Sequence, residues 1–119
     1  MKLIETKNYD ELSRVAADML ISEIKAKPDC VLGLATGSTP LHLYNRLVQM
    51  HKNDGLDFSK VTTFNLDEYL GLKPEDPQSY HYFMFENLFS KINIDPRNVN
   101  IPDGMTDNVM TFCNYYERK

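Results

Sequence analysis

The sequence predicts an α/β fold: a Rossmann-like, mainly parallel sheet flanked by helices. Three observations predict it. Short apolar runs alternate with longer segments of helical period, as in successive βαβ units with right-handed crossovers. The run at 30–35 (CVLGLA) is almost wholly apolar, as expected of a parallel strand covered on both faces. Turns rich in Gly, Pro, Ser and Asp separate the runs. With 119 residues, 42% of them hydrophobic, the chain is one domain's worth of material and can bury a core.

Taken in order, Leu3 and Ile4 read as a short first strand. Asn8, with Glu11 three residues later, is a variant capping box that opens a helix. Leu12, Val15, Ala16, Met19 and Ile24 then recur at helical spacing up to Pro28. After the strand at 30–35, Leu41, Tyr44, Leu47 and Val48 share one face of a second helix, which stops near 53–55 (NDG). Residues 61–66 (VTTFNL) are rich in strand formers and end at Asp67, Glu68 and Tyr69; Gly71, Pro74 and Pro77 then make a long loop. Residues 80–92 read as an aromatic-rich core helix, 99–101 as a brief strand, and Val109, Phe112, Cys113 and Tyr116 as one face of a final helix running to Lys119.

The formal net charge is -4 and no run of Lys or Arg occurs, so a nucleic-acid or anionic membrane surface is not indicated. The N-terminus lacks the apolar region of a secretory signal, and no apolar stretch reaches membrane-spanning length, so a cytoplasmic protein is expected. Cys30 and Cys113 lack metal-ligand spacing and read as buried free thiols. His42, His51 and His81 show neither metal-ligand nor triad arrangement and read as surface histidines.

Chemistry concentrates just after two of the strands. The turn Thr36, Gly37, Ser38, Thr39, Pro40 leads from the strand into a helix, whose first N–H groups and dipole favour an anion. Gly37 permits close backbone approach, Ser38 or Thr39 can cap the helix and offer a hydroxyl, and Pro40 suits the first helical position. Capping alone selects the same residues. The nucleoside-triphosphate loop and the three-glycine dinucleotide fingerprint are both absent, so neither ATP nor NAD is indicated. Asp67 and Glu68 point in opposite directions at the end of their strand, with Asp67 toward the cleft and Glu68 supporting the loop; the alternative is that both merely cap the exit turn. If the two strands are neighbours, a phosphate seat and a carboxylate share one mouth, an arrangement suited to acid/base chemistry on a sugar phosphate.

The segments LGLATGSTP, TFNLDEYLGL and DPQSYHYFM, in this order and spacing, resemble the first half of the glucosamine-6-phosphate deaminases, and the resemblance covers essentially the whole chain. The related 6-phosphogluconolactonases carry a similar GGSTP loop but Asp-Glu-Arg in place of Asp67, Glu68 and Tyr69. The resemblance implies conversion of glucosamine 6-phosphate and water to fructose 6-phosphate and ammonia. It makes Asp67 the catalytic group that moves a proton between C2 and C1, and Thr36, Gly37, Ser38 and Thr39 the residues that hold the sugar phosphate. It implies no metal and no organic cofactor.

Family members are longer, and their ring-opening histidine and basic phosphate ligands would follow Lys119. Residues 1–119 are therefore expected to be the N-terminal part of a single isomerase/deaminase domain, incomplete and inactive by itself. A 6-phosphogluconolactonase-like enzyme and a non-catalytic sugar-phosphate-binding module are the alternatives. Self-association of a full-length protein is left open.

Overall fold

Three parallel strands, β1 (Val31–Leu34), β2 (Thr62–Asn65) and β3 (Val99–Asn100), form one sheet in that spatial order in a computed structural model that describes residues 3–119. Parallel neighbours need crossovers. Helix α2 (Leu41–Asp54) supplies the first, and α3 (Tyr80–Asn87) the second, followed by 3-10 turns at Phe89–Lys91 and Pro96–Asn98. Helix α1 (Tyr9–Ala26) precedes the sheet and α4 (Val109–Glu117) follows it. The α/β class and the parallel sheet are as the sequence predicts.

Leu32 pairs with Thr63 and Leu34 with Asn65, so these four side chains share a face, and all four are buried. That face joins a core built from Ala17, Ile21 and Ile24 of α1, Tyr44, Leu47 and Val48 of α2, and Met84 of α3. The opposite face is open at β1, where Val31 is 64% exposed. Covering on both faces, expected from the unbroken apolar run, is thus not found. Three helices gather on one side, and on the other Tyr116 of α4 meets Phe64 edge-on with ring centroids 6.0 Å apart.

Helix α1 begins at its predicted cap, where the Asn8 side chain accepts from the Glu11 N–H at 2.9 Å. The Glu11 carboxylate reaches back to the N–H of Lys7, at 3.2 Å, and not to that of Asn8 as a capping box would. Its buried face differs from the expected one: Ser13, Ala17, Ile21 and Ile24 face inward, while Leu12 and Met19 are exposed. The small side chains of Ser13 and Ala17 let α1 lie close to α2, and Asp18 pairs with Arg46 across the two helices at 3.2 Å.

Four further expectations need correction. Leu3 and Ile4 form no strand; both are exposed and no sheet edge takes them up. The helix expected over 80–92 stops at Asn87, because Leu88 turns to φ -140°, ψ -64° and so buries both itself and Phe89. The strand expected at 99–101 shortens to two residues. Cys113 is exposed, since α4 buries none of its residues fully, whereas Cys30 is buried as expected and its thiol is pushed up by that burial.

Candidate functional site at the carboxyl ends of β1 and β2

Because β1 and β2 are adjacent and parallel, the loops that follow them leave the sheet at the same end. In the first loop Gly37 adopts φ 104°, a left-handed conformation that glycine tolerates best. A Cβ there would meet nothing within 4 Å. The positive φ by itself calls for glycine here.

Helix α2 starts one residue later than predicted, at Leu41, with Pro40 in the cap position and no side-chain capping bond. Neither Ser38 nor Thr39 caps the helix with its side chain; the Ser38 carbonyl accepts the Leu41 N–H at 3.3 Å. The Tyr9 hydroxyl donates to the Thr39 carbonyl at 2.5 Å and lies 3.0 Å from that of Ser38. The N–H groups of Gly37, Ser38 and Thr39 donate to no other described residue. Free N–H groups just before a helix are donors an anion can use. At the loop's base, the Tyr44 hydroxyl accepts from the Ala35 N–H at 3.0 Å and donates to the Ala35 carbonyl. Burial pushes the Tyr44 phenol up to about 12, against a smaller lowering by its bond with Ala35.

In the second loop the adjacent carboxylates differ in their partners, although both line one cavity, so the opposite orientation expected from the strand is not found. Glu68 accepts from the N–H groups of Tyr69 at 2.9 Å, Tyr80 at 2.8 Å and His81 at 2.9 Å. Ser79, the N-cap of α3, accepts from Tyr82 at 3.0 Å. A carboxylate and a hydroxyl together occupy the donors of the first turn, where the helix dipole favours negative charge. Asp67 makes no such bond and remains exposed; with Glu68, Leu66, Leu70, Phe112 and Tyr116 it lines a cavity of about 260 Å³ to which no residue of the loop at 36–40 contributes. Tyr116 closes its floor: its hydroxyl donates to the carbonyl of Asn65 at 2.7 Å and lies 2.8 Å from that of Asn100.

The sequence reading missed two participants, Tyr69 and Tyr80. Their rings lie 4.7 Å apart between centroids. The Tyr80 phenol is held above its usual range, chiefly by the Tyr69 side chain, then by burial and by the charge of Asp67, while Thr36 acts in the opposite sense. Residues from both loops and from the start of α3 therefore converge. The sequence grouped Tyr80 with the apolar core aromatics; the overlooked signal was Ser79, whose capping puts Tyr80 on the first turn and beside the loop. His42 faces the other way, with Nδ1 3.1 Å from Asp10 and its ring 4.7 Å from that of Tyr9. Among the described residues no three of His, Cys, Asp or Glu cluster as metal ligands do.

The loop after β3 braces the second loop. Gly71 donates to the Gly104 carbonyl at 2.7 Å, and a Cβ on Gly104 would lie 2.2 Å from the carbonyl oxygen of Tyr69.

The family model described as glucosamine-6-phosphate isomerases/6-phosphogluconolactonase matches residues 5–119. The chain belongs to this glucosamine-6-phosphate isomerase/6-phosphogluconolactonase family. Over all 119 residues it is 54% identical to a glucosamine-6-phosphate deaminase of Clostridium botulinum (strain Langeland / NCTC 10281 / Type F), covering 49% of that protein. It is 55% identical to the deaminase of Thermoanaerobacter sp. (strain X514), covering 47%. The fold matches a solved monomeric glucosamine-6-phosphate deaminase with a TM-score of 0.95 and 45% identity, over 99% of this chain and 49% of that one. A 6-phosphogluconolactonase from Thermotoga maritima shares the fold at a TM-score of 0.72 and 23% identity, over 98% and 51% of the two chains. This family member thus spans about half the length of the relatives it matches.

Proposed function

We propose that residues 1–119 form the N-terminal half of a glucosamine-6-phosphate deaminase domain, with Asp67 as its proton-transfer group and Thr36, Gly37, Ser38 and Thr39 as part of its phosphate seat. The observation that carries this reading is the 54% identity to named deaminases along the entire chain. It is supported by the motif Asp67, Glu68, Tyr69, which has tyrosine where the lactonase pattern has arginine. The neighbouring parallel strands β1 and β2 support it, since the loops carrying Thr36 and Asp67 leave the same end of the sheet.

In the open-chain substrate, Asp67 takes the proton from C2 and returns it to C1 by way of an enolamine. Water then adds to the resulting C2 imine and ammonia leaves, giving fructose 6-phosphate. A carboxylate that is free of protein hydrogen bonds suits a group that must both accept and donate a proton. The free N–H groups of the first loop suit a dianionic phosphate. The substrate is then an amino-sugar phosphate, the setting is amino-sugar breakdown in the cytoplasm, and the carbon–nitrogen cleavage is hydrolytic. The 119 residues alone are proposed to be inactive.

The test is a fusion of this chain, in frame, to the portion of the Clostridium botulinum deaminase that follows its matched half. Ammonia release from glucosamine 6-phosphate, with no hydrolysis of 6-phosphogluconolactone, is expected. Lactone hydrolysis without ammonia release would select the lactonase alternative; sugar-phosphate binding with no turnover would select the binding module.

A further inference from the structure

We propose that Tyr9 is a positioning residue for the phosphate seat, holding the loop at 37–40 so that its N–H groups face a ligand; this rests on the functional reading above. The tie is a single hydroxyl near two carbonyls, 2.5 Å from that of Thr39 and 3.0 Å from that of Ser38. In a planar trans peptide the carbonyl and the following N–H point in opposite directions. The Ser38 carbonyl also accepts the Leu41 N–H at 3.3 Å, so Tyr9 and the turn into α2 together orient this peptide, whose Thr39 N–H no described group accepts.

The next peptide matters more. Thr39 precedes Pro40, so the bond between them has a carbonyl and no N–H. Facing the seat, that carbonyl would set a partial negative charge against the phosphate and offer no donor in return. Tyr9 holds this oxygen on the α1 side by the shorter of its two contacts.

The clamp is itself held firmly. Tyr9 is the first residue of α1, directly after the Asn8 cap, and its ring packs at 4.7 Å against His42, which is fixed by Asp10 at 3.1 Å. The first turns of α1 and α2 are thereby joined across the loop. Tyr44 secures the same loop at Ala35. The polar contacts of Tyr9 are with the loop carbonyls and not with Asp67, so its effect is on binding and not on proton transfer.

Tyr9→Phe removes the hydroxyl and keeps the ring, its contact with His42 and the helix cap. In the fusion enzyme, Tyr9→Phe is expected to raise KM for glucosamine 6-phosphate about tenfold and leave kcat within about twofold. Inhibition by inorganic phosphate should weaken by the same factor, while inhibition by unphosphorylated glucosamine should be unchanged. Unchanged KM and phosphate inhibition, or a fall in kcat alone, overturns the proposal. If the unsubstituted fusion releases no ammonia, the functional reading fails, and Tyr9 is judged on the same fusion protein by titration with inorganic phosphate. Shifts of the Gly37, Ser38 and Thr39 amide signals that Tyr9→Phe abolishes uphold it; no shifts, or equal shifts in both chains, overturn it.

Discussion

The Glu68 carboxylate accepts the backbone N–H groups of Tyr80 at 2.8 Å and His81 at 2.9 Å, joining the loop after β2 to the first turn of α3. Its neighbour Asp67 is exposed and unbonded, so one residue anchors the loop and the next is left free for chemistry.

Glu68→Ala should leave the N–H groups of Tyr80 and His81 without their carboxylate and destabilise the chain by about 1 to 3 kcal/mol. Hydrogen exchange at these two amides should accelerate well beyond that of α1. Unchanged protection would show that the loop is held by other contacts.

Asp67→Asn keeps the size of the side chain and removes its capacity to exchange a proton. In the fusion enzyme kcat should fall by at least about 100-fold, with little change in KM or in the thermal midpoint. Turnover near the parent level would remove Asp67 from the proposed role.

Gly104→Ala forces a methyl group against the Tyr69 carbonyl oxygen, 2.2 Å from the ideal Cβ position, and both partners are backbone-bound. A loss of about 1 to 3 kcal/mol is expected, together with displacement of the loop that carries Asp67. Gly33→Ala, where the added Cβ meets nothing within 4 Å, should change stability by less than about 0.5 kcal/mol. Denaturant midpoints of the two variants measured side by side decide the matter.

Tyr44 supplies a pH dependence. Its phenol titrates at about 12 in the fold against 10.0 in a free tyrosine, so the fold favours the protonated form. That contribution is fully present below about pH 10 and is lost as pH rises toward 12. Unfolding midpoints should fall across this interval, and absorbance near 295 nm should show late tyrosine ionisation, to which Tyr44 contributes along with Tyr80 and Tyr116, whose phenols are also raised. Tyr44→Phe should reduce the late amplitude by one tyrosine and weaken the chain at neutral pH by about 1 kcal/mol, since both polar groups of Ala35 lose their tyrosine partner.

Local chemistry made much of this protein legible from sequence. Asn8, Ser79 and Gly55 mark helix ends through bonds made within a few residues, and the face of Tyr44, Leu47 and Val48 follows from helical period. The strands and the two loops that carry Thr36 and Asp67 are likewise short-range features, and the motifs in them pointed to the family that the comparison confirms. What the tertiary structure decided depends on contacts between distant residues. Tyr9 reaches 30 positions along the chain to bind the Thr39 carbonyl, and the expected Ser38 or Thr39 cap is not made. Glu68 reaches 13 positions to His81, Gly104 fits beneath the Tyr69 carbonyl, and small residues on α1 turn toward α2 while Leu12 and Met19 stay outside. Residue spacing encodes periodicity and capping, but it contains no term for which carbonyl a remote hydroxyl will meet once the helices pack.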